Sequence, residues 1–282
     1  MDSLSWIIPY PKRSRERLII QLAYSGPEYL EPSRTSQIVA LLRAGLDRPS
    51  TPLGDPNAQR ELCSGMRRAR AARPQPDIVP RTRFFDERVL MAIAAGLNQI
   101  VICGAGYDDR ALRFRAPGVR FFELDQPTTQ ADKAKRLRRM GANTDALTLI
   151  SADFRHDDAA KLLRDSGHSA TRPTLFVCEG LLVYLDQQAV SRVLNGLRSV
   201  ASPGSSLAAS LAFYREGEDP ARVLAIANAR RLTGRTEPWL TILSAGEYSG
   251  LFSKAGWVVD YASEAGAGSS RLLLVTARPT SP

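Results

Sequence analysis

The segment NQIVICGAGYDDRALRF (98–114) brings a short apolar run to a Gly-Ala-Gly turn and then to two acids, Asp108 and Asp109. Glycine has no Cβ, so Gly104 and Gly106 let the backbone come close to a ligand at the carboxyl edge of a sheet. A dinucleotide site would place a third glycine where Asp109 stands, opening a helix N-terminus to a pyrophosphate. Two carboxylates there would repel a phosphate. They would suit a ligand whose charged groups include a sulfonium and an ammonium. A plain strand-to-helix turn with no ligand is the other reading.

Three further acids follow at the spacing such a site needs. FELDQP (122–127) ends an apolar run with Asp125, where a carboxylate can accept bonds from both hydroxyls of a ribose. Capping of the following helix is the alternative. SADF (151–154) places Asp153 and Phe154 at the next sheet edge. Asp153 can accept from an adenine amino group, and Phe154 can offer a backbone N–H or an apolar wall; capping is again the alternative. CEGLLVYL (178–185) then puts Glu179 among apolar residues, where an unpaired acid is costly to bury and a cationic ligand group is the natural partner. A structural salt bridge would serve equally. Together these residues favour S-adenosyl-L-methionine over a nicotinamide cofactor.

The elements that must hold these residues follow from the apolar pattern. Strands are expected at 99–103, 119–124, 146–150, 174–178 and 206–213, with helices over 128–140, 157–166 and 186–202. Strand–helix alternation with short connections gives a mostly parallel sheet covered on both faces. The last two runs, 257–262 and 271–277, are joined too closely for a helical crossover, so they form an antiparallel hairpin. The expected fold is therefore α/β, a seven-stranded sheet of the Rossmann-like class I methyltransferase type. Residues 1–80 have no strand signal. Ile38, Val39, Leu41, Leu42 and Leu46 repeat at helical spacing, and a second helix is expected from Ala58. The first 80 residues are thus expected to form a helical cap, joined by a proline-rich linker at 73–80 to the sheet domain at 81–282.

Composition narrows the class. The chain has 282 residues, 44% of them hydrophobic, and a net charge of +9. No apolar run approaches the roughly 20 residues that span a bilayer, and the opening residues lack the order of a secretory signal. Cys63, Cys103 and Cys178 are too few and too far apart for a disulfide framework or zinc knuckle, so no metal site is expected and a cytoplasmic protein is. The basic clusters at 12–17, 67–73 and 133–139 read as solvated helix faces. They lack the interleaved aromatics of an RNA-binding surface.

Taken in order, RTRFFD, QIVICGAGYDDRALRF, FELDQP, ADF and CEGLLVYL resemble the leucine carboxyl methyltransferase superfamily. The similarity is greatest to its bacterial branch, which includes polyketide carboxyl O-methyltransferases, and covers about residues 34–213. The resemblance implies that S-adenosyl-L-methionine is bound by Arg81, Gly104, Asp125, Asp153 with Phe154, and Glu179. Arg81 would hold the methionine carboxylate, with Arg83 as a competitor. Asp109 stands where threonine is usual, and Cys178 where alanine is usual.

Methyl transfer is an in-line displacement, so placing the nucleophile supplies much of the catalysis. A carboxylate is already ionised at neutral pH, while a phenol needs a base. His156 and His168, the two histidines, are poorly placed to be that base. The expected acceptor is accordingly a small acidic molecule, with a phenol second and Tyr184 a candidate substrate contact. Tyr184 could equally be an aromatic core plug. No membrane or nucleic-acid partner is expected; a nucleic-acid methyltransferase, a non-catalytic S-adenosyl-L-methionine-binding protein and an NAD-dependent oxidoreductase are the rival classes.

Overall fold

The computed structural model describes residues 31–66, 76–230, 233, 236–266 and 271–281. The basic clusters at 12–17 and 67–73 and residues 73–75 of the expected linker lie outside them. Among the described residues, three helices precede the sheet: α1 (Arg34–Arg43), α2 (Ala58–Leu62) and α3 (Ile78–Ala94). There follow β1 (Gln99–Cys103), α4 (Arg110–Arg113), β2 (Arg120–Asp125), α5 (Pro127–Met140), β3 (Leu147–Ser151), α6 (Ala159–Asp165) and β4 (Thr174–Cys178). A short 3-10 turn (Leu182–Tyr184), α7 (Gln187–Ser199), β5 (Ser206–Ala212), α8 (Pro220–Arg230), α9 (Ala245–Lys254), β6 (Trp257–Ala265) and β7 (Leu272–Pro279) complete the described chain.

The strands form one sheet in the order β3-β2-β1-β4-β5-β7-β6. β1 to β5 are parallel, with Ile100 opposite both Phe121 and Leu175. β7 runs antiparallel to both β5 and β6. The hairpin is therefore laid back against the sheet, its second strand inside and its first at the edge. Every residue of β1 and β4 is buried, as expected for central strands covered on two faces.

Alternation along β1 feeds two apolar layers. Ile100 and Ile102 join Phe85 and Val89 of α3 on one face; Val101 and Cys103 join Leu163 of α6 and Val190, Leu194 and Leu197 of α7 on the other. The apolar side of α7 is the buried one.

Two details depart from the sequence reading. α1 ends at Arg43 rather than near Leu46, and its deeply buried residues are Ala40 and Arg43. Ile38, Val39, Leu42 and Leu46 are only half-buried. The helix is rotated by its charge: Arg43 reaches an acid inside the protein, and the apolar stripe is left partly outside. Helix α3 also begins at Ile78, so residues 78–80 of the expected linker are its first turn.

Candidate functional site at the carboxyl edge of the sheet

The glycine turn is built as the sequence requires. Gly104 and Gly106 both have positive φ, +69° and +49°, a region that side chains with a Cβ avoid. The amides of Gly104 and Ala105 both donate to the carbonyl of Leu124, at 2.8 and 3.1 Å, fastening the turn to the end of β2. The next amide, Gly106, donates to Oδ2 of Asp125 at 2.6 Å, while Gln126 N–H donates to Oδ1 at 2.8 Å. Asp125 is thus not a helix cap, and each of its oxygens has capacity left to accept. Burial pushes its carboxyl up to about 6, against the pull of those two amides.

The backbone of β3 carries the next residue into place. Ala152 N–H donates to the Asp125 carbonyl at 2.8 Å, which sets Asp153 beside Asp125. Oδ1 of Asp153 accepts from the Arg155 amide at 3.0 Å and its Nε at 3.2 Å. The cap of α6 is a different acid, Asp158. The ring of Phe154 is buried in the apolar layer.

Glu179, which follows β4, departs from the expectation of an unpaired acid awaiting a cation. Three arginines hold it. Arg81 Nε lies 2.9 Å from Oε1, Arg110 Nη1 lies 2.8 Å from Oε2, and Arg43 Nη2 also reaches Oε1. Burial alone would raise this carboxyl, but Arg43, Arg110 and Arg81 hold it well below the usual carboxylate range. Arg81 is buried on the first turn of α3 and also pairs with Asp77 at 3.0 Å, while Arg83 is exposed. Of the two, only Arg81 is paired with Glu179.

The acids of the turn are corrected in the same way. Asp108 is paired with Arg110 at 2.5 Å and Arg43 at 3.3 Å; Asp109 is paired with Arg48 at 2.7 Å and Arg113 at 2.6 Å. Arg48 and Arg110 further share Asp86. The carboxylates that were expected to repel a phosphate are therefore neutralised by side chains from α1, the segment after it and α4. Low-dielectric surroundings make each such pair strong and each orphaned member costly. Beneath the turn, Lys133 of α5 donates to the Asp108 carbonyl at 2.7 Å and to the buried Glu123.

Sequence reading missed Arg43, Arg110, Asp86 and Lys133. It also missed Arg113, for which a signal did exist: DDRALR carries Asp109 and Arg113 four apart, the spacing of a helical ion pair. Nothing local announced Arg43, whose partners lie 65 and more positions away. Tyr184, in the turn after β4, is half-buried and packs its ring against the apolar layer beside α3. His168 lies at the opposite edge of the sheet, 3.0 Å from Thr174, the first residue of β4.

Residues 35–198 match the family model of the leucine carboxyl methyltransferases. The chain belongs to this family. Curated relatives include a protein of Mycolicibacterium paratuberculosis, provisionally named an S-adenosyl-L-methionine-dependent methyltransferase, 39% identical over 60% of this chain and 51% of its own length. A similarly named protein of Mycolicibacterium gilvum is 43% identical over 45% of this chain and 42% of its own. The matched region spans about half the length of these relatives. Among solved structures, magnesium protoporphyrin IX methyltransferase from Synechocystis PCC 6803, crystallised with S-adenosylhomocysteine, is similar with a TM-score of 0.53 at 12% identity. The match covers 94% of this chain and 100% of that one. This likeness is one of fold, and it is the Rossmann-like class I methyltransferase fold. Among the described residues, no helix is long and apolar enough to cross a membrane.

Proposed function

We propose that this family member is an S-adenosyl-L-methionine-dependent O-methyltransferase that esterifies a carboxylate of a small acidic acceptor. The observation that carries the cofactor assignment is Asp125, buried at the end of β2 and fixed by the Gly106 amide with accepting capacity to spare. The residues present fit the cofactor. Gly104 and Gly106 remove two Cβ atoms beside Asp125, and a Cβ at Gly104 would stand 3.0 Å from Leu181. Glu179 lies between Arg81 and Arg43, offering one carboxylate and two guanidiniums to the opposite charges of an amino acid.

When bound, S-adenosyl-L-methionine supplies a methyl group on a positive sulfur. Asp125 would accept from the ribose hydroxyls and Asp153 from the adenine amino group. Glu179 would take the ammonium, with Arg81 and Arg43 on the carboxylate. The ion pairs now inside the protein are then exchanged for pairs with the ligand, so no charge is left without a partner. Burial of all these groups keeps water from competing for them.

The acceptor reading rests on proton chemistry. His168 is held at the far edge, and the His156 ring is largely exposed. A carboxylate needs no base, which favours ester formation. A polyketide-like acid, the cytoplasm as compartment and the absence of a nucleic-acid partner belong to the same reading. Candidate acids incubated with methyl-labelled S-adenosyl-L-methionine test it. Label released by mild alkali, formed at a rate flat from about pH 6 to 9, is the expected result. A base-stable product whose rate climbs through that range would reassign the acceptor oxygen to a phenol.

A further inference from the structure

The first turn of α1 lies directly over the glycine turn. A Cβ on Gly106 would stand 2.6 Å from Cβ of Ser36, so no gap separates the two backbones there. Ser33 N–H donates to Thr129 Oγ1 at 3.0 Å, tying the same turn to the start of α5. Arg81, Asp125 and Glu179 are each only 8% exposed beneath this covering. A ligand reaching Asp125 must therefore displace α1.

One side chain closes this arrangement from a distant part of the chain. Glu237, beyond α8, accepts the Arg34 amide on Oε1 at 2.8 Å and the Thr35 amide on Oε2 at 2.9 Å. The Thr35 and Thr233 hydroxyls meet at 2.6 Å beside it. The early amides of a helix have no partner within the helix, and a carboxylate there is favoured by charge as well as by hydrogen bonding. Ser33 caps the Ser36 amide itself, at 3.1 Å, so Glu237 serves the two amides that the local cap does not. These two amides are 203 and 202 positions away from it.

We propose that Glu237 is a latch: it fastens α1 over the cofactor cleft, so that cofactor exchange waits on its release. The proposal rests on the cofactor reading above. Glu237 shares no hydrogen bond with the residues assigned to the cofactor, although its charge adds to the burial that raises the Asp125 pKa. It acts through α1, whose other end carries Arg43 into the cluster around Glu179. Cofactor and latch thereby engage the two ends of one ten-residue helix. A carboxylate is required: glutamine keeps the shape but has one accepting oxygen and no charge, so it cannot take both amides equally.

The test compares wild type with Glu237→Gln, using Glu87→Gln on the exposed side of α3 as control. Labelled S-adenosylhomocysteine is loaded and chased with unlabelled ligand, and association is followed separately. Loss of one bond and of the charge assistance on the other is expected to speed both association and dissociation by roughly ten-fold, with the dissociation constant moving much less. Amide exchange at Arg34 and Thr35, which needs no ligand, is expected to rise in Glu237→Gln and not in the control. Exchange rates within two-fold of wild type, with only a lower Tm, would make Glu237 a structural stitch and overturn the latch. Wild-type protein that fails to bind S-adenosylhomocysteine at all would instead overturn the cofactor reading on which the latch rests.

Discussion

The two edges of the sheet solve the same problem by different chemistry. At the amino edge, buried polar groups are neutral. Gln99 donates to the Ser169 carbonyl at 2.9 Å and accepts its amide at 2.8 Å, His168 meets Thr174 at 3.0 Å, and the Thr174 amide donates to Ser205 at 3.1 Å. At the carboxyl edge the buried groups are charges: Arg43, Arg48, Arg81, Arg110 and Arg113 against Asp77, Asp86, Asp108, Asp109 and Glu179. Neutral bonds close an edge permanently and at low electrostatic risk. Ion pairs can be handed over to a charged ligand, because each partner has a strong alternative to water. The contrast sets the edge proposed for the cofactor apart from the other.

Removing a charge from the carboxyl edge should have the largest effect. Arg110 is fully buried and touches Asp86, Asp108 and Glu179. Arg110→Met is expected to lower the unfolding free energy by about 3–5 kcal/mol, since it strands buried carboxylates. Urea unfolding measures this. A loss below about 1 kcal/mol would mean that the cluster is well solvated, and the contrast between the edges would fail.

The amino edge should answer to pH instead. Burial holds His168 neutral, with its pKa lowered to about 4 from an ordinary 6.5. The unfolded chain therefore takes up this proton first as pH falls. Stability contributed by the neutral ring is fully present above about pH 6.5 and is lost on descending to about pH 4, by roughly 3 kcal/mol. His168→Leu should flatten that part of the stability profile, whatever it does to the value at pH 7. An unchanged slope between pH 6.5 and 4 would show that the ring is reached by water.

Much of this was legible in the chain itself. β1 and β4 could be bounded to the residue because an apolar run of four, led by one polar residue and ended by glycine or acid, leaves little choice. Asp125, Asp153 and Glu179 were found because each is the first acid after an expected strand. The helices α4, α8 and α9 were not anticipated: α4 has four residues, and α8 has a weak apolar face with only Ala227 buried. The ion pairing of Glu179 was not legible for a deeper reason. Its partners come from α1, α3 and α4, brought together by tertiary packing, and no local spacing records that meeting. For the same reason the acids after the glycine turn were legible as acids but not as neutralised ones.

The central claim is that the carboxyl edge holds S-adenosyl-L-methionine through Asp125, and calorimetric titration with S-adenosylhomocysteine tests it directly. Wild type and the exposed-residue control Arg83→Ala should bind one equivalent with the same dissociation constant. Asp125→Ala, still folded, should bind about 100-fold more weakly, as expected for loss of two hydrogen bonds to a charged acceptor. Equal dissociation constants for Asp125→Ala and wild type would contradict the assignment.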